Sequence, residues 1–264
     1  MKKIITVILI SLLFGACSEY QKAYKSEDIG VKYEVSKKLY EKGKYTKAIR
    51  LFEQIAPSYK GKPQAEELFY MYSESLYRTK QYFLAGYQYS SFASLYPRSA
   101  KLEEALFKSA KCEALLSPRY TLDQTDTDKA VSKLQDFIDR YPESAQLGEA
   151  NALMKDLKEK LEKKAFEIAK QYNTISDFKA AIVALNIFLD EYPGTSYKED
   201  ALYYKFDSSY HLAVNSINSK METRLKDAQE NYAALIKFNA ETKYKSKADA
   251  MLKTINTELQ QFSK

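Results

Sequence analysis

LYEKGKYTKAIRLFEQI, residues 39–55, sets an alanine, a ring and a branched aliphatic on one stripe: Ala48, Phe52 and Ile55, with Tyr59 a turn further on. Offsets of 0, +4, +7 and +11 from the alanine trace one face of an α-helix. The column recurs four more times. Ala85, Ala130, Ala181 and Ala228 stand where Ala48 stands. Tyr89, Leu134, Leu185 and Tyr232 follow at +4, and Phe92, Phe137, Phe188 and Leu235 at +7. At +11 come Tyr96, Tyr141, Tyr192 and Asn239. Pro97, Pro142 and Pro193 come next, where a ring without an N–H stops a helix.

Working back from the alanine, position −3 holds Tyr45, Tyr82, Thr127, Phe178 and Leu225. Position −12 is small in four of five cases: Ser36, Ser73, Ala169 and Ser216, with Pro118 as the exception. A small residue there suits a close approach between a preceding helix and its partner. Residues 43–45, 80–82 and 176–178 form the turns between the two. Ser99, Ser144 and Thr195 are expected as N-caps of the next helix, with Glu103, Glu149 and Glu199 complementing its positive end. Ala65, Leu68, Tyr72 and Leu76 form a further helical stripe, with Pro63 at its start. Glycine and proline are scarce, and strand-type alternation is absent.

The pattern resembles the tetratricopeptide repeat over about residues 29–250. Successive alanines are 37, 45, 51 and 47 residues apart, which predicts longer first helices and one long loop. The expected fold is all-α: a superhelical stack of five helical hairpins, centred near residues 48, 85, 130, 181 and 228. A final helix over 243–262 would cap it.

The chain opens with Lys2 and Lys3, then an apolar run of eleven residues, 4–14. A spanning helix needs about 20 residues, so the run reads as the core of a secretory signal. Gly15, Ala16 and Cys17 follow, resembling the lipobox of bacterial lipoproteins, with Phe14 where Leu is usual. That resemblance implies a signal peptide over 1–16 and a diacylglycerol on Cys17, whose new N-terminus is acylated. Ser18 in place of Asp favours the outer membrane, on its periplasmic face. Residues 17–28 read as the lipidated cysteine and a polar tether, and 29–264 as the repeat domain. Net charge is +6, or +4 without Lys2 and Lys3, spread along the chain with no basic stripe for nucleic acid. Cys112 is the other cysteine and reads as a buried small hydrophobe in the helical run 105–116.

No catalytic constellation stands out. His211 is the single histidine, flanked by Tyr210 and Leu212, and reads as structural. One histidine and one mature cysteine do not make a usual zinc site, and no phosphate loop or nucleophile elbow is found. No enzyme activity, cofactor or metal is therefore expected. The longest break is residues 117–128, SPRYTLDQTDTD, running from Ser117 to Asp128. It lacks the Asp-x-Asp-x-Asp-Gly order of a calcium loop. Turn and N-cap duty for Thr127 or Asp128 is one reading, and a partner-binding loop is another. Tyr72, Tyr82, Tyr89, Phe92 and Tyr96 fit the core column, whereas Tyr70, Tyr77 and Tyr87 point elsewhere and are candidates to line a binding groove.

An outer-membrane address joined to five such repeats resembles the BamD family of outer-membrane protein assembly lipoproteins. The stretches that carry it are 39–55, SLYPRSAKLEEALF at 94–107 and LDQTDTDKAVSKLQDFIDRYPESAQ at 122–146. The resemblance implies a non-enzymatic scaffold of the β-barrel assembly machinery. Its C-terminal repeats would dock the Omp85-type barrel, BamA, alongside other subunits, and its N-terminal repeats would face unfolded outer-membrane proteins. A periplasmic envelope- or glycan-binding lipoprotein of the same architecture is the alternative.

Overall fold

The computed structural model describes residues 18–263. Every regular element among them is helical: α1 (Ser18–Lys25), α2 (Ile29–Glu41), α3 (Tyr45–Tyr59), α4 (Ala65–Arg78), α5 (Tyr82–Leu95), α6 (Leu102–Leu116), α7 (Thr125–Arg140), α8 (Leu147–Thr174), α9 (Phe178–Glu191), α10 (Lys198–Val214), α11 (Asn218–Phe238) and α12 (Lys245–Leu259), then a 3₁₀ turn, Gln260–Ser263. The pairs α2–α3, α4–α5, α6–α7, α8–α9 and α10–α11 are the five expected hairpins, and α12 is the expected final helix. The long spacings have three causes: the loop at 117–124 between α6 and α7, the 28-residue α8, and the 21-residue α11, which begins ten residues before Ala228.

The chain forms two compact units, 1–157 and 158–264. In the first, each helix from α2 to α7 packs on its successor, and the first helices α2 and α4 also touch. In the second, α10 packs on α9, α11 and α12. All five column alanines are fully buried. So are Phe52, Tyr89, Leu134 and Leu185 at +4, and no residue at +7 is more than 3 % exposed. Ser36, Ser73 and Ala169 at −12 are buried and Ser216 is partly buried, and the three hydroxyls are satisfied by carbonyls three or four residues back. Ser36 donates to the carbonyl of Tyr33, Ser73 to Phe69 and Ser216 to Leu212. A short hydroxyl therefore allows close approach without an orphaned donor. Gly86 serves the same end on α5: a Cβ there would stand 3.1 Å from the Cβ of Cys112 on α6.

The turns inside the hairpins share one backbone device. Gly43, Lys80 and Ser176, each five before its alanine, have φ of 67°, 60° and 64°. The following N–H reaches back to close the helix: Lys44 to Leu39, Gln81 to Leu76 and Asp177 to Tyr172. This is the left-handed C-terminal cap, which glycine adopts most easily.

Three local readings differ from the structure. Residues 18–25, part of the stretch read as a tether, form α1, with Ala23 fully buried and Tyr20 packed against the core. Ser99, Ser144 and Thr195 do not sit at the helix boundary. They accept the N–H of Lys101, Gln146 and Tyr197, two residues on, and so cap the turn that leads into α6, α8 and α10. Thr127 and Asp128 lie inside the first turn of α7, and the boundary residue is Gln124.

A candidate partner-binding face on the first helices

On the first unit, the face made by α2, α4 and α6 gathers rings and charges around one carboxylate. Residues 70, 74, 77 and 78 share a side of α4, because three and four residues complete about a turn. The Glu74 side chain is 5 % exposed and accepts three hydrogen bonds: Arg78 Nε at 2.6 Å, Tyr89 OH at 2.6 Å and Lys108 Nζ at 2.5 Å. Burial works against its charge, yet these three donors hold it below the usual carboxylate range. Lys108 also pairs with Glu104 at 2.8 Å, and Lys101 pairs with Glu104 at 3.1 Å. Burial opposes ionisation of Glu104 as well, but Lys108, Tyr70 and Lys101 bring it down to about 2. Burial, then the hydrogen bond to Glu104, pushes the Tyr70 phenol up.

Of the sequence candidates, Tyr70 and Tyr77 come together here. Both are half-buried, and both pack edge-on to Tyr89, with ring centroids at 6.3 and 6.5 Å. Lys101 and Lys108 lie over the Tyr70 ring, and Lys108 and Lys111 over that of Tyr77. Lys111 is held by Glu149 at 2.6 Å. Tyr87 stands apart. It is 67 % exposed on α5, near Phe83, and borders a separate cleft with Pro57, Tyr72 and Leu95.

The loop at 117–124 is closed on itself. The buried Gln124 amide donates to the carbonyls of Arg119, Leu122 and Asp123, and its oxygen accepts from Thr127 at 2.8 Å. Thr127 also shares a 2.5 Å hydrogen bond with Ser117. Asp123 accepts the N–H of Thr125, and Asp126 pairs with Lys129, so the aspartates turn outward. Among the described residues no group of three His, Cys, Asp or Glu side chains converges as metal ligands. In the second unit His211 stacks on Phe178, with centroids 5.0 Å apart, and Asp207 lies 3.8 Å away. Burial pushes the Cys112 thiol up to about 12.

Sequence reasoning missed a recurring clasp. Ser99 donates to Glu66 at 2.6 Å, Ser144 to Glu103 at 2.5 Å and Thr242 to Glu199 at 2.5 Å. Each glutamate sits in the first turn of a hairpin's first helix, and each hydroxyl lies in the turn that leaves that hairpin. In the fifth repeat Asn239 replaces Tyr-Pro. It accepts the N–H of Glu241 and donates to Glu199 at 3.4 Å, so it joins the same clasp. The signal was Ser/Thr two residues past the +12 position together with an acid about 40 residues earlier, too diffuse to read from one chain.

A stack of helical hairpins with a tyrosine- and lysine-lined face, its carboxylates already engaged internally, defines a helical repeat protein. The chain belongs to the YfiO family of outer membrane lipoproteins, which matches residues 27–225. The family is non-catalytic. Over 215 residues the chain is 20 % identical to the outer membrane protein assembly factor BamD of Caulobacter vibrioides, spanning 80 % of this chain and 70 % of that one. Over 198 residues it is 23 % identical to the protein of the same name from Pasteurella multocida, spanning 71 % and 76 %. Among solved structures, a Podosopora anserina kinesin light chain with TPR-like repeats overlaps at a TM-score of 0.33 and 12 % identity, covering 81 % of this chain and 97 % of that one. No helix among the described residues is long and apolar enough to cross a membrane.

Proposed function

We propose that the chain is a scaffold of the β-barrel assembly machinery, held by lipid on Cys17 at the periplasmic face of the outer membrane. The observation that carries this reading is the lipoprotein-family match over residues 27–225, with likeness to two assembly factors along most of the chain. Cys17 itself lies outside the described residues. In this reading 1–16 is the signal that is removed, and 29–264 is the working domain. The C-terminal repeats dock the BamA-type Omp85 barrel. The N-terminal repeats meet segments of unfolded outer-membrane proteins on the face that holds Tyr70 and Tyr77. A tyrosine that is half-buried offers apolar area and a polar tip together, which suits a chain of alternating polar and aromatic residues.

The test is a pull-down of the full-length protein from detergent-solubilised outer membrane, with mass spectrometry of what accompanies it. A near-stoichiometric Omp85-type barrel supports the scaffold role. Cell-wall proteins or a nutrient porin in its place overturn it in favour of an envelope- or glycan-binding lipoprotein. Deleting residues 195–264 releases the barrel if the C-terminal repeats dock it, and undiminished co-purification refutes that placement.

A further inference from the structure

The amino-terminal helix bears on how the first unit meets the membrane, and the inference rests on lipidation of Cys17. One peptide bond joins Cys17 to Ser18, the first residue of α1, and consecutive Cα atoms lie about 3.8 Å apart. α1 is docked on the unit. Ala23 is fully buried, Glu19 pairs with Lys38 at 2.9 Å, and the Lys47 ammonium lies 5.3 Å from the centre of the Tyr20 ring. Lys38 is in the last turn of α2 and Lys47 in the first turn of α3. The start of α1 therefore lies beside the turn at 42–44, and the lipid-bearing residue is one bond from it.

That end of the unit is rich in unneutralised cations. Lys42 and Lys44 are exposed and form no ion pair among the described residues. The next hairpin turn lies at the same end, since Arg78 at the close of α4 is near enough to feel the phenols of Tyr45 and Tyr40. Lys80 in that turn is likewise exposed and unpaired among the described residues. The opposing acids beside these turns are Glu41, at the end of α2, with Glu19 and Glu74, and the third hairpin turn adds exposed Asp123 and Asp126 alongside Arg119 and Lys129. Glu19 and Glu74 are already engaged, by Lys38 and by Arg78 with Lys108.

We propose that this end of the first unit, with Lys42, Lys44 and Lys80, rests on the anionic headgroups of the bilayer, and that docked α1 holds it there. A lipid chain and a basic patch act together on a charged surface, and each lysine near such a surface adds attraction that fades within a Debye length. The short covalent path from Cys17 to docked α1 and the lysines together favour one orientation of the unit on the membrane.

The experiment uses the full-length, lipidated protein in vesicles of zwitterionic and anionic phospholipid. Single spin labels are placed at Thr46→Cys and Ser58→Cys, both exposed on α3 and about 18 Å apart along it. Buried Cys112 stays unlabelled. A headgroup-attached nickel chelate should broaden the label at 46 and leave that at 58 nearly untouched. The variant K42E/K44E/K80E should lose the difference while staying in the membrane fraction. High salt should reduce it without any substitution. Equal broadening at the two positions, or more at 58, overturns the proposal. So does a difference that survives both the triple variant and salt, as a protein partner or steric cause would produce. The mass of the N-terminal peptide separates the two layers. An unmodified Cys17 overturns the lipid reading and this inference together, whereas a lipidated Cys17 with no positional difference overturns this inference alone.

Discussion

Lys108→Met tests how the first unit tolerates a buried charge. The ammonium bridges two carboxylates, Glu74 at 2.5 Å and Glu104 at 2.8 Å, and its side chain is 17 % exposed. Methionine keeps most of the apolar stem and removes only the charge. Breaking a buried pair on one side costs about 3–5 kcal/mol, because the other charge stays behind. Glu74 would keep Arg78 and Tyr89, and Glu104 would keep Lys101 and Tyr70, so the cost should fall just below that range, at about 2–3 kcal/mol. Glu74→Gln should cost less, and the double variant should fall short of the sum by about 1–2 kcal/mol. Urea unfolding of the mature chain carrying Cys17→Ser, followed by tyrosine fluorescence and circular dichroism, measures all three at constant m. Acid adds a second axis. Glu104 is near 2 when folded against 4.5 in the free group, and Glu74 is also lowered. Between these limits the unfolded chain binds more protons, so this stabilisation is present above about pH 4.5 and is lost as pH falls toward 2. Lys108→Met should flatten that acid limb. A cost below about 0.5 kcal/mol, or strict additivity, would refute the view of Lys108 as keystone.

Lys80→Gly and Ser176→Gly should each stabilise by about 0.5–1 kcal/mol, since both positions hold φ near +60°, where a Cβ is unfavourable; thermal melts check the sign. Ser144→Ala and Glu103→Ala should each cost about 1–2 kcal/mol and be non-additive, because they remove the two ends of one clasp, as a double-mutant cycle reads out. Gln124→Ala frees three carbonyls of the loop at 117–124, so limited trypsinolysis after Arg119 should accelerate several-fold at unchanged global stability. Cys112, buried and with its thiol near pH 12, should resist Ellman's reagent at pH 8 in the native protein and react at once in urea.

The hairpins were legible because one column of apolar residues repeats five times, and its period separates helix from strand. The left-handed turn was legible as a place, and in Gly43 as a residue, but Lys80 and Ser176 carry no such mark. α1 was hidden because SEYQKAYK is mostly polar, and only Ala23 becomes fully buried. Half of the candidate face was visible. Tyr70 and Tyr77 were singled out by failing to fit the core column, but Glu74 and Lys108 looked like ordinary surface charges. Only the packing of α4 against α5 and α6 joins them. Tyr87 obeyed the same exclusion rule and landed elsewhere, since not being core does not say which outer face a side chain takes.

The clasp between a first-turn glutamate and the next turn's hydroxyl gives the array a direction. Glu66 must be in place before Ser99 has a partner, and Glu103 before Ser144. A chain that crosses a membrane amino terminus first presents the acceptor well ahead of its donor. Each finished module thus becomes the jig that sets where the following helix begins, and a truncated product is left with a waiting carboxylate in water instead of a stranded hydroxyl.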